Sequence, residues 1–184
     1  QMAGEFVLKK NGIDPQQDLT LIQNIDFANI ANAFASGTGD YVQLFEPTAS
    51  VFEEEGIGKI VASFGDELGA IPYTVFMAKE SKLKDKDLIA SFTRGLHKAQ
   101  DWVYSKSAAE VAKSIAPYFE NTEVALIEKA VERYRAQKSY ATDPIIDEKE
   151  FENLLNVMKE AGVLEFDAKY KDLVNRSFAD EVAK

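Results

Sequence analysis

The sequence predicts an α/β fold: a parallel sheet with crossover helices over residues 1–78, followed by a helical portion over residues 79–184. Three observations predict it. Short apolar runs at Leu19–Gln23, Tyr41–Phe45, Ile57–Phe64 and Tyr73–Ala78 alternate with helix-like segments. Turn residues punctuate the boundaries, as at Asn11-Gly12, Asp14-Pro15, Gly37 and Gly56. Beyond Ala78 apolar residues recur only at helical spacing. Strands linked by helices of this length imply parallel pairing through right-handed connections.

The elements follow in order. Met2–Lys10 reads as a helix with a basic end, stopped by Asn11-Gly12. Phe27–Ser36 carries Phe27, Ile30, Ala31 and Phe34 on one side, with Gly37 closing it, and Pro47–Glu55 is a helix ended by Gly56. After the expected lobe boundary near Ala78–Lys84, Asp85–Tyr104 presents Leu88, Phe92, Leu96, Ala99 and Val103 as a core-facing stripe. Ser107–Glu110 has capping-box spacing ahead of Val111 and Ile115. Asn121 is expected to cap a helix lined by Val124, Ile127, Val131 and Tyr134. Asp147 and Glu150 have capping-box spacing before Phe151, Leu154, Leu155 and Met158, and Gly162 stops that helix.

Composition narrows function. Hydrophobic residues at 46% and charged residues at 28% are an ordinary globular balance. Lys plus Arg number 21 against 31 Asp plus Glu, a formal net charge of −10 that repels phosphate backbones, so nucleic acid is not expected as a partner. With no cysteine and His97 as the single histidine, thiolate chemistry and Cys- or His-rich metal sites are excluded. No catalytic residue, metal or cofactor is expected. His97, inside a long helix with no Ser, Asp or second His placed to work with it, reads as a packed or surface residue. Glu53-Glu54-Glu55 reads as a solvated helix end.

Parallel strands terminate on one edge, and ligands collect in the crevice there. Asn24-Ile25-Asp26 follows the first run, with Asp26 at the N-cap of the Phe27 helix. Phe45-Glu46-Pro47 ends the second, with Glu46 as cap and Pro47 at the first helical position. Both carboxylates are expected to face one cleft. Asp26 is open to capping, the commoner role, or to a ligand; Glu is a poor N-cap, so Glu46 is open to a ligand or interlobe role. Phe45 fits either a core strand or a ligand wall. Tyr73, after Pro72, can offer ring and hydroxyl to a ligand or serve structure alone.

Those same residues resemble a known family. Phe34-Ala35-Ser36-Gly37, then Gly39-Asp40-Tyr41-Val42 and Phe45-Glu46-Pro47, are similar to the second lobe of ABC-importer substrate-binding proteins serving nitrate, sulfonates, taurine and thiamine-precursor pyrimidines. The resemblance continues through Ile71–Phe76, Thr142–Ile145, and Tyr170–Asn175 with Ser177-Phe178. It implies a type II periplasmic-binding-protein-like fold, with residues 1–78 as the second-lobe ligand-binding portion lacking its first strand. Residues 79–184 would be the crossover and a helical portion belonging largely to the first lobe. It implies a non-enzymatic extracytoplasmic protein, periplasmic or lipid-anchored, that captures a small molecule between two lobes and delivers it to a membrane permease. The implied ligand contacts are Gln1, Met2, Asn24, Asp26, Phe27, Phe45, Glu46 and Tyr73. A carboxylate among aromatic rings suits an aminopyrimidine better than a sulfonate or nitrate.

The chain enters a helix-like pattern at Gln1, so its natural beginning is expected to lie elsewhere. An exposed strand edge would then invite pairing, and weak ligand capture with self-association is expected of the chain alone. Two other functions fit the resemblance. A ligand-sensing domain of a signalling protein is disfavoured by a charged tail without heptads, and a pyrimidine-synthesising enzyme of the same fold by the lack of Cys and of a second His.

Overall fold

A computed structural model describes residues 1–183. Its elements are α1 (Met2–Lys10), α2 (Ile30–Ala35), α3 (Thr48–Glu54), α4 (Phe64–Leu68), α5 (Glu80–Leu83), α6 (Lys86–Ser105), α7 (Ala108–Ile115), α8 (Val124–Ala136), α9 (Glu148–Glu160), α10 (Tyr170–Leu173) and α11 (Ser177–Val182). Two 3₁₀ turns, Phe27–Asn29 and Ala116–Tyr118, lead into α2 and follow α7.

The expected parallel sheet is not there: no strand occurs among the described residues. The runs Leu19–Gln23, Tyr41–Phe45, Ile57–Ser63 and Tyr73–Ala78 are irregular connections. Their backbone donors go elsewhere. Ile57 and Gly58 N–H groups both donate to the Phe52 carbonyl at the end of α3, and the Ile60 N–H donates to Glu53 Oε1. The Glu46 N–H donates to the Tyr134 hydroxyl. A run of β-prone residues becomes a strand only beside a partner about 4.8 Å away. Without one, the apolar side chains of these runs stand in solvent, Tyr41 82% and Met77 90% exposed.

The chain forms two compact units, and it passes between them three times. Unit 1 comprises 1–68 and 108–137; unit 2 comprises 69–107 and 138–184. The core of unit 1 is the α7/α8 pair. Val111 and Ala112 of α7 and Ile127, Ala130 and Val131 of α8 are buried at helical spacing. α3 also packs on α8, and α1 packs on α4. A Cβ at Gly4 would sit 3.2 Å from the Phe64 ring, so glycine permits the close α1/α4 approach.

In unit 2, α6 packs on α11 and α9 on α10. Phe151 of α9 meets Tyr170 of α10 edge to face at 5.5 Å. Asp85 caps α6, accepting from the Leu88 N–H at 3.2 Å. The face of α6 differs from the expected stripe: Thr93 is buried and Ile89, Leu96 and Gln100 are half-buried, whereas Leu88, Phe92 and Ala99 are exposed. Gln100 Nε2 donates to the Asp143 carbonyl, and Thr93 returns its hydroxyl to Ile89. The Gln100 bond reaches another segment and the Thr93 bond satisfies its hydroxyl within the helix, so both polar groups can face inward. Asn121 is not the cap of α8; it takes positive φ in the preceding turn, and Glu123 occupies the cap position.

Candidate functional site

The two corners singled out in the sequence meet within unit 1. Phe27 opens the 3₁₀ turn before α2, Phe45 ends the irregular run before α3, and their ring centroids lie 5.8 Å apart at 56°. Phe27 is 74% exposed and Phe45 41%, so the pair presents ring surface to solvent instead of filling a core. Asp26 and Asn24, both exposed, precede Phe27. Asp26 occupies the N-cap position, but its side chain makes no capping hydrogen bond; its carbonyl accepts from the Asn29 N–H at 2.8 Å instead.

The start of α1 adjoins the Asn24 loop. Gln1 Nε2 donates to Glu5 Oε1 at 2.8 Å, and Gln23 Nε2 reaches the same oxygen at 3.3 Å. Gln1 and Met2 are exposed at this end of α1. One carboxylate oxygen, shared by two amides, thereby ties the first residue of the chain to the residue before Asn24.

Glu46 is placed differently from Asp26. Its side chain is 5% exposed and is held by Arg133 of α8, whose Nη1 lies 2.7 Å from Oε1. Its other oxygen accepts from the Ser50 N–H at 3.1 Å, closing the first turn of α3. Pro47, not Glu46, occupies the N-cap position of α3, although the Glu46 carboxylate still accepts from a first-turn N–H; that carboxylate is buried, so the expected pair of acids facing one cleft is not formed. Burial of this charge is tolerable because a guanidinium and a backbone N–H engage it. The Glu46–Pro47 peptide bond is cis.

Glu53 and Glu54 are not simply solvated. Arg133 Nη2 lies 3.0 Å from Glu53 Oε2, and Lys129 pairs with Glu54. The Arg133 hydrogen bond, then that of the Ile60 N–H, hold the Glu53 carboxyl below its ordinary pKa. One arginine thus bridges the acid at the start of α3 to an acid near its end. Arg133 and Tyr134 escaped the sequence reading as site residues: 87 positions separate Arg133 from Glu46, and no local pattern joins them.

Tyr73 belongs to unit 2, where its ring is 70% exposed. His97 Nε2 lies 3.9 Å from Asp101 Oδ2 one turn along α6, so an acid does stand beside it, contrary to the expectation from sequence. Unit 2 also has a surface depression of about 370 Å³; its lining mixes Glu148 and Glu152 with Lys169 and Lys171, so charge selects no ligand there. Among the described residues no cluster of three or more His, Asp or Glu could hold a metal, and no helix is long and apolar enough to cross a membrane.

Comparison with known proteins places these corners in a family. Residues 1–116, the segment holding Phe27, Phe45 and Glu46, match the NMT1-like family. A protein of Bacillus subtilis (strain 168) named "Putative binding protein YtlA" is 54% identical over 183 residues, 99% of this chain. The chain spans 55% of the length of that relative. No solved structure matches the chain significantly. The chain belongs to the NMT1-like family.

Proposed function

We propose that the chain is part of a non-catalytic solute-binding protein of an ABC importer, working outside the cytoplasmic membrane. It would capture a small molecule between two lobes and deliver it to a permease. The observation that carries this reading is the exposed Phe27/Phe45 pair, built from two corners 18 residues apart and flanked by Asn24 and Asp26. Family membership and a relative named as a binding protein support it. Tilted aromatic faces beside an exposed carboxylate and an amide suit a flat, nitrogen-bearing ring such as an aminopyrimidine. In this arrangement Asp26 and Asn24 supply the polar contacts, Gln1 and Met2 border the loop, and Glu46 supports the Phe45 corner from behind. Sulfonates and nitrate are the competing ligand class, disfavoured by the acid at the rim.

A thermal-shift screen of the chain against a 4-aminopyrimidine, taurine and nitrate at millimolar concentration tests this. At ten times the dissociation constant, binding adds about 1.4 kcal/mol, a rise of about 3–6 °C for a chain this size. The rise should occur with the aminopyrimidine and disappear in Phe27→Ala. A rise that Phe27→Ala leaves unchanged would place the ligand elsewhere, and no rise with any of the three would remove the proposed ligand classes.

A further inference from the structure

The Phe45 corner is held by one face of a helix almost ninety residues downstream. α8 offers Arg133 and Tyr134 side by side. The Tyr134 hydroxyl accepts from the Glu46 N–H at 3.1 Å, and Arg133 Nη1 engages the Glu46 carboxylate at 2.7 Å. Main chain and side chain of one residue are thereby fixed by consecutive residues of α8. Arg133 also reaches Glu53 at 3.0 Å, so the guanidinium sets α3 as well as the residue that leads into it. Ile127, Ala130 and Val131 bury α8 against α7 and Tyr134 continues that same stripe, so the helix carrying the two groups is itself anchored. Phe45 is the next residue along from this doubly held position, and its ring is the one that meets Phe27.

We infer that Arg133 and Tyr134 are positioning residues: through Glu46 they set the place of the Phe45 ring against Phe27. The inference deepens the binding role proposed above and rests on it for its functional meaning. A hydrogen bond to the backbone N–H fixes where the chain passes, and a planar guanidinium shared by two carboxylates fixes its orientation. A binding surface whose supporting residues are rigid retains its geometry without reorganisation when ligand arrives. Arg133→Lys keeps the charge and loses the fork, since an ammonium cannot match the two-carboxylate geometry.

The test uses the whole chain with selectively labelled phenylalanine and observes the NMR cross-relaxation between the Phe27 and Phe45 rings without ligand. Arg133→Met and Tyr134→Phe should weaken or abolish it while far-UV circular dichroism stays native, and Arg133→Lys should give an intermediate signal. Should Arg133→Met fail to fold, Tyr134→Phe, which removes one hydroxyl, and Arg133→Lys carry the same test. An unaltered ring contact in the folded variants would overturn the inference, whether or not any ligand binds. Titration with a 4-aminopyrimidine is the separate arm: wild type should bind and Arg133→Met should lose about tenfold in affinity. If wild type binds and folded Arg133→Met binds equally well, the positioning role fails while the binding role stands. If wild type does not bind but the ring contact is lost on substitution, the aminopyrimidine role fails and the positioning of Phe45 stands.

Discussion

Arg133 Nη1 and Glu46 Oε1 lie 2.7 Å apart across 87 residues of sequence, joining the α8 helix to the corner before α3. The Glu46 side chain is almost fully buried, so the pair is not an ordinary surface ion pair worth a few tenths of a kcal/mol. Removing the arginine leaves an acid in a poorly solvated place, and breaking such a pair costs about 3–5 kcal/mol when both groups are fully buried. Arg133 is partly exposed, so the expected loss for Arg133→Met lies below that range. Glu46→Gln, which retains an acceptor for the Ser50 N–H, should cost less than Arg133→Met. Urea unfolding of the two variants decides, and equal stabilities would show that the buried charge is not what matters.

Glu53 carries a pH dependence. Its carboxyl is held below the ordinary range by the Arg133 hydrogen bond and the Ile60 N–H, so protonation is harder in the folded chain than in the unfolded one. Such a group stabilises the fold fully above the unfolded carboxyl pKa, and the contribution fades as pH falls through the lower folded value. The Glu53→Gln variant should therefore differ from wild type at neutral pH and converge with it in acid. Melting temperatures measured from pH 7 down to about 3 would show the convergence. A constant difference across that span would mean the carboxylate plays no part.

The core of unit 1 predicts a sharper effect. Ile127 is 2% exposed between α7 and α8, and truncation there leaves a cavity that packed helices close only in part. Ile127→Ala should lose about 2–5 kcal/mol and Ile127→Val about 0.5–1.5 kcal/mol. Leu88→Ala in α6, on a residue the structure leaves half exposed, should stay within about 0.5 kcal/mol. A comparable loss at Leu88 would show that the α6 face is covered in solution.

Legibility of the fold divides along the range of the interactions. The helix stops were readable because they are local: Gly12, Gly37, Gly56 and Gly162 all take positive φ where a helix ends, a conformation that glycine adopts without steric cost. α1, α3 and α9 lie within a residue or two of where periodicity put them. The four strand-like runs failed because a strand is a relation between segments, and β-branched composition records only a readiness to pair. The phase of α6 failed for a related reason: Leu88 and Phe92 look like core from their spacing, but Gln100 and Thr93 find hydrogen bonds that let the polar face turn inward. At the site, Phe27 and Phe45 were legible as corner residues. Tyr134 reads as part of the apolar stripe of its helix and Arg133 as helix surface, and neither local pattern marks a partner 87 or 88 residues upstream.

The apolar residues of the unpaired runs lead to a last prediction. The chain exposes 13113 Å². Two independent units of half the 20.5 kDa mass would together expose about 10,700 Å² by the usual scaling. The excess of about 2,400 Å² falls within the range that permanent interfaces cover. Tyr41, Val61, Phe76 and Met77 are among the large side chains left open, all on irregular segments whose backbone can pair with another chain. At micromolar concentration the chain should therefore self-associate, and light scattering coupled to size exclusion should give a mass of at least twice 20.5 kDa. Charged substitutions at two of the most exposed positions, Phe76→Glu with Met77→Lys, should lower that mass toward the monomer. A monomeric wild type at these concentrations would mean that the open side chains are not sticky enough to overcome the mutual repulsion of chains each carrying a net charge of −10.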